Sequence, residues 1–137
     1  MSLKTLINSL FSPSAKPKPL VATARTGRDG EAVARRFLLK AGYRVHACNV
    51  RMGRDEIDLV VFDPEDGVLA FVEVKSRSRQ TDYAPALNIT PSKKASMRRA
   101  ARRWVAKNDY DGGWRLDVVC VVEGIVTEHL REVSDET

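Results

Sequence analysis

The order of apolar and polar residues predicts an α/β domain whose elements run α-β-β-β-α-β-β. Three observations carry that prediction. Two apolar runs, at 56–62 and 68–75, flank Asp63-Pro64-Glu65-Asp66-Gly67, where Pro and Gly suit the fixed and positive φ of a short hairpin connection. A helix is signalled at Thr90-Pro91, an N-cap followed by a first-turn proline, with Met97, Ala100, Ala101 and Trp104 forming one apolar stripe. Residues 114–122 and 125–130 then read as two strands joined by a Glu123-Gly124 turn.

The remaining elements follow in chain order. Residues 1–24 form a Ser/Pro/Lys-rich tail after a short amphipathic piece, Leu3, Leu6, Ile7 and Leu10. Polar interruptions and the lack of a small-residue cleavage site argue against a secretory signal. The piece reads as a docking helix or as a flexible tail ordered by contact, and Lys16-Pro17-Lys18-Pro19 as an extended linker. The domain is expected over 25–131, leaving 132–137 as an acidic tail. A first helix begins after Thr26, with Thr26 and Asp29 as a capping-box-like pair, runs to about Ala41, and stops at Gly42. Val33, Ala34, Phe37, Leu38 and Ala41 make its core face. Glu31 lies beside that face, either as an inward-facing acid or as a first-turn acid favoured by the helix dipole. Tyr43 to Asn49 is a first strand, and a polar loop spans about 77–89.

Composition narrows the function classes. A chain of 137 residues supports one domain with a real core. No apolar run approaches a membrane span, so no membrane partner is expected. Cys48 and Cys120 fall in separate strand-like runs and read as buried free thiols in a reducing cytoplasm. His46 and His129 are remote from each other and from any Cys pair, so there is no zinc signature. The net charge of +5 is concentrated: Lys93, Lys94, Arg98, Arg99, Arg102, Arg103 and Lys107 share a stretch without a single acid. Exposed helices usually alternate Glu with Lys. An acid-free basic face is either a solvated surface or a phosphate-backbone footprint, and Lys75, Arg77 and Arg79 extend the positive track. Nucleic acid is the partner this charge suits.

The acids inside the apolar runs need a separate explanation. If 64–67 form the loop, Asp63 pairs with Val68 and Asp58 falls opposite Glu73 on one face, with Lys75 following by the period-two alternation. Buried carboxylates are costly unless paired or metal-bound, and two that close do not both ionise comfortably without a cation between them. Mg²⁺ is typically held by one or two carboxylates, with water or phosphate oxygens completing its shell. A nearby lysine can orient or deprotonate the metal-bound water, so these residue types suit phosphodiester hydrolysis. The plainer alternative is a Lys-Glu-Asp ion cluster on a solvated strand edge.

Gly30-Glu31, Glu56-Ile57-Asp58-Leu59, Phe71-Val72-Glu73-Val74-Lys75 and Arg115-Leu116-Asp117-Val118-Val119 occur in an order and spacing that resembles the small bacterial YraN-like proteins. Those proteins are regarded as candidate endonucleases of the PD-(D/E)xK nuclease superfamily, distantly similar to archaeal Holliday-junction resolvases. The resemblance covers about 27–130. It implies a restriction-endonuclease-like αβββαβ core, with a mixed central sheet flanked by helices. It also implies that Asp58 and Glu73 hold the metal with the Val74 backbone carbonyl, and that Lys75 assists the attacking water. Glu31 would complete the acidic cluster directly or through water, and Glu56 matches a family acid on the same strand face as Asp58. Arg115 and Asp117 match a later motif of no assigned role and read as a structural ion pair beside the sheet. One departure stands out. The family commonly has Gly before the Glu-Ile-Asp run, and this chain has Asp55, which tolerates positive φ but adds a charge beside the site.

The expectation is a Mg²⁺- or Mn²⁺-dependent endonuclease acting on DNA, branched DNA included. Arg77, Arg79, Lys93, Lys94, Arg98, Arg99, Arg102 and Arg103 would hold the backbone. Two other readings stand beside it: a nucleic-acid-binding module with little turnover, and an interaction factor recruited through its leucine-bearing tail. Cutting both strands of a junction would favour a symmetric homodimer, although no residue marks the interface.

Overall fold

A computed structural model describes residues 26–77 and 89–133, with side chains from Gly30 onward. The observed order matches the one expected: α1 (Thr26–Lys40), β1 (Arg44–Met52), β2 (Asp55–Asp63), β3 (Val68–Arg77), α2 (Pro91–Lys107), β4 (Trp114–Val122) and β5 (Ile125–Leu130). The strands form one mixed sheet in sequential order. β3 and β4 are parallel, joined by the crossover through α2, and all other neighbours are antiparallel. This α/β arrangement, two helices flanking a five-stranded mixed sheet, is consistent with a restriction-endonuclease-like core. No helix among the described residues is long and apolar enough to cross a membrane. The tail at 1–24, Arg79 and most of the loop near 77–89 lie outside the described residues.

Each helix covers one face of the sheet because strand side chains alternate. α1 packs through Ala34 and Leu38 on Leu59, Val61, Ala70, Val72, Val119 and Val121. α2 packs through Met97, Ala100, Ala101 and Trp104 on the opposite face, against Val60, Phe71, Leu116 and Val118. The α2 stripe is as expected. On α1, however, Ala41 is exposed and Phe37 is 37 % exposed, set edge-on to His129 instead of in the core. The helix ends before Ala41 in a Schellman arrangement. Gly42, at φ 98°, donates to Leu39 O and Tyr43 N donates to Leu38 O.

The β2–β3 hairpin has the expected register, with Asp63 opposite Val68 and Leu59 opposite Val72. Asp63 Oδ1 accepts from Glu65 N at 2.9 Å and Gly67 takes φ 70°, which closes the turn. At this end of the sheet lies a buried polar network. Arg115 donates to Asp117, Asp63, Asp66 and the Tyr43 hydroxyl at 2.8–3.1 Å, and His129 Nε2 lies 2.9 Å from Asp117. Burial alone would raise Asp63 and Asp117. Arg115, with His129 on Asp117, holds both carboxyls below the usual carboxylate range. The structural reading of Arg115 and Asp117 fits this network. Cys48 and Cys120 are free thiols, half-buried and buried.

Candidate functional site

The far end of the same hairpin behaves differently. The β2–β3 ladder ends at Leu59 and Val72, while β2 stays with β1 as far as Asp55 and β3 stays with β4 as far as Arg77. The sheet therefore forks at Asp58. Leu59 packs under α1 but Ile57, two residues away, packs under α2. Residues two apart on a regular strand share a face, so β2 turns over at Asp58. The neighbouring strand does the same, with Asn49 at φ 51°. In place of the missing ladder bond, Asp58 Oδ2 accepts a hydrogen bond from Val74 N at 2.8 Å.

An open groove of ≈ 520 Å³ occupies the fork. Its lining brings together Glu31, Glu56, Asp58, Glu73 and Val74, all expected at a metal site, and adds Lys93 and Arg54. Glu31 is delivered by a close helix–strand approach. A Cβ at Gly30 would lie 2.5 Å from Ser76 Oγ, so only glycine lets the second turn of α1 sit this low on β3. The Glu31 carboxyl hydrogen-bonds the Asn49 side chain. Burial, followed by the charge of Asp58, pushes it above its ordinary range.

The Asp58 and Glu73 carboxyls lie close enough to act on one another. Burial is the largest cause raising Asp58. Burial and then the Asp58 charge push Glu73 up to about 7. Two lysines oppose that rise, Lys93 more strongly than Lys75. Lys93 Nζ lies 3.4 Å from Glu73 Oε2, whereas Lys75 is not among the groove-lining residues and reaches Glu73 only through space.

The basic residues divide into two groups. Arg99 makes a two-pronged contact with Asp55, 2.8 and 2.9 Å, and Arg103 donates to Met52 O at 3.5 Å. Both hold the Gly53-Arg54 turn between β1 and β2 against α2. Arg102 and Lys107 are exposed, and Lys93, Lys94 and Arg98 are half-buried along the helix. Arg77 is half-buried, with its Nε enclosed and without a hydrogen-bond partner. The positive φ of the turn belongs to Gly53, at 65°, and the Asp55 carboxylate is absorbed by Arg99, which lowers its pKa.

Sequence reasoning missed Asn49 and Arg54 and did not single out Lys93. An Asn inside an apolar strand, tolerant of positive φ, was a signal for the first. Arg54 in a two-residue Gly-Arg turn was a signal for the second.

The chain matches the model of "Uncharacterised protein family UPF0102" over residues 30–121, from the tight glycine of α1 into β4. A UPF0102 protein of Chlorobaculum parvum is 38 % identical over 114 residues, covering 80 % of this chain and 85 % of the relative. One of Pelobacter propionicus is 36 % identical over 112 residues, covering 81 % and 79 %. UPF0102 protein CT2262 of Chlorobaculum tepidum is 40 % identical over 99 residues, covering 70 % and 74 %. The chain belongs to the UPF0102 family.

Proposed function

We propose that this protein is a divalent-metal-dependent endonuclease of the PD-(D/E)xK type, acting on DNA. The observation that carries the reading is the pair Asp58 and Glu73, brought together at the fork of the sheet in an open groove beside a basic helix. The donor set fits a hard cation. Two partly buried carboxyls crowd until Glu73 is pushed up to about 7, a state that a divalent cation between them would relieve. Among the described residues no group of three or more His, Cys, Asp or Glu forms a ready cage. Mg²⁺ or Mn²⁺ takes one or two carboxylates with water and phosphate oxygens, a number that Asp58 and Glu73 could supply.

Asp58, Glu73 and the Val74 carbonyl would hold the cation, with Glu31 or Glu56 reaching it directly or through water. Bound there, it would polarise the scissile phosphate and acidify a water. The chain's own residues do the remainder. Val74 N–H fixes the Asp58 carboxylate, Asn49 fixes Glu31, and Lys75 adds positive charge near Glu73. Lys94, Arg98 and Arg102, half-buried or exposed along α2, would meet the phosphate backbone.

The test incubates purified protein with supercoiled plasmid, single-stranded DNA and a four-way junction in Mg²⁺ or Mn²⁺, beside Asp58→Asn and Lys75→Ala. Metal-dependent nicking that Asp58→Asn abolishes is the expected result. Cleavage unchanged in Asp58→Asn would refute the site. Binding without cleavage of any substrate would make the protein a nucleic-acid-binding module on a nuclease fold.

A further inference from the structure

We infer that Lys93 is an exchangeable counter-ion: it pairs with Glu73 in the metal-free protein, and leaves that carboxylate for a nucleic-acid phosphate when a divalent cation takes its place. The inference rests on the metal-site reading above and adds a residue from the opposite element to it.

Three features support the exchange. Lys93 Nζ is 3.4 Å from Glu73 Oε2, with the lysine side chain 43 % exposed and the glutamate 14 % exposed. The pair is therefore unequally placed, with a largely enclosed carboxyl and a half-exposed ammonium at the groove edge. Lys93 is also the third residue of α2, where Thr90 Oγ1 accepts its backbone N–H at 3.0 Å, and the first turn contains no acid. A cation in the first turn opposes the helix dipole, so its ammonium is held there by an anion across the groove. Finally, the same groove contains Glu31, Glu56 and Asp58. A second cation entering among these acids competes with the ammonium for Glu73 and repels it towards solvent. A strand of nucleic acid lying on α2 would present its phosphates at that point.

The exchange makes the two binding events distinguishable by charge. Without metal, Lys93 is engaged by Glu73 and contributes little to DNA binding. With metal, it contributes one phosphate contact. Removing its charge should tighten metal binding, because a competitor is gone, and weaken DNA binding only when metal is present.

The experiment uses the full chain as wild type, Lys93→Met, Lys93→Arg and Glu73→Gln, each checked for folding by thermal melt. Mn²⁺ affinity is measured by titration calorimetry. Affinity for a short duplex DNA is measured across a salt series in Ca²⁺ and again in chelator. Lys93→Met is expected to bind Mn²⁺ roughly fivefold tighter than wild type, the worth of a partly exposed ion pair, with Lys93→Arg like wild type. In Ca²⁺, Lys93→Met should reduce the salt slope of DNA binding by about one, with no such change in chelator. If Lys93→Met binds Mn²⁺ no tighter than wild type, or weakens DNA binding equally in Ca²⁺ and in chelator, the exchange is overturned while the metal site stands. Should wild type and Glu73→Gln bind Mn²⁺ equally, or neither bind it, both the metal site and the exchange are lost.

Discussion

Replacing Glu73 by Gln should make the metal-free protein more stable, and only at neutral or alkaline pH. The reason lies in the fork. An ordinary Glu loses its proton near 4.5, whereas burial and Asp58 hold Glu73 up to about 7 even with Lys93 against it. The folded protein thus binds more protons than the unfolded chain between those values, and wild-type stability falls as pH rises from about 4.5 to about 7. At 1.36 kcal/mol per pH unit the gap amounts to roughly 3 kcal/mol, fully exacted above pH 7. The Glu73 side chain is 14 % exposed, so solvent removes little of it. Gln mimics the protonated carboxyl, carrying no charge and offering an N–H donor towards Asp58. Urea unfolding in chelator should show Glu73→Gln about 2–3 kcal/mol more stable than wild type at pH 8. At pH 5 the difference should fall to a few tenths. A variant less stable than wild type at pH 8, or equally stabilised at both pH values, would refute the reasoning. Saturating Mn²⁺ should reverse the order, because only the wild type gains binding energy.

Two further perturbations test the frame around the site. Arg115→Met strands Asp63 and Asp117 in the interior and should cost about 3–5 kcal/mol at pH 7 by urea denaturation. Both acids are held low in the folded state, so wild-type stability from this network is present above about pH 4 and lost in acid; a gap that did not narrow towards pH 3 would count against the network. Gly30→Ala places a Cβ 2.5 Å from Ser76 Oγ and 2.6 Å from Ser76 Cβ, and should cost about 1–3 kcal/mol while lifting Glu31 from the groove. An unchanged thermal melt would mean that α1 does not sit this close to β3.

How much of this was legible depends on whether the determinant is local. The hairpin register was readable because Pro64 and Gly67 define a turn, and the turn places Asp63 opposite Val68. The fork was not, because it needs Asp58 to accept a β3 amide and Asn49 to take positive φ on a third strand. The α2 stripe was readable from spacing alone. Which of its cations meets Glu73, and which hold the Gly53-Arg54 turn, is set by the crossover that lays α2 across the sheet. Phe37 followed the helical period yet sits beside His129, since β5 rather than the sheet centre lies beneath it.

One strand pair carries two answers to the problem of buried charge, and their contrast weighs on the alternative reading of the acids as an ordinary ion cluster. At the hairpin end, Asp63 shares with Asp117 a buried guanidinium that bonds both, and each carboxyl is driven below its ordinary range. That is what a cluster built for structure achieves: every charge has a partner and the acids prefer to be ionised. At the fork, Asp58 and Glu73 are partly buried and have no guanidinium against them: a half-exposed Lys93, a more distant Lys75 and the Val74 N–H fall short of offsetting burial, and both acids are driven upward. The sequence had an arginine available for this end too, since Arg54 lines the same groove, and its guanidinium is not bonded to either carboxylate. A pair left short of positive charge, open to a ≈ 520 Å³ groove and flanked by two more glutamates, is stabilised most by a small divalent cation arriving from solvent. The deficit, rather than the presence of acids, is what favours a metal site over a salt-bridge cluster here.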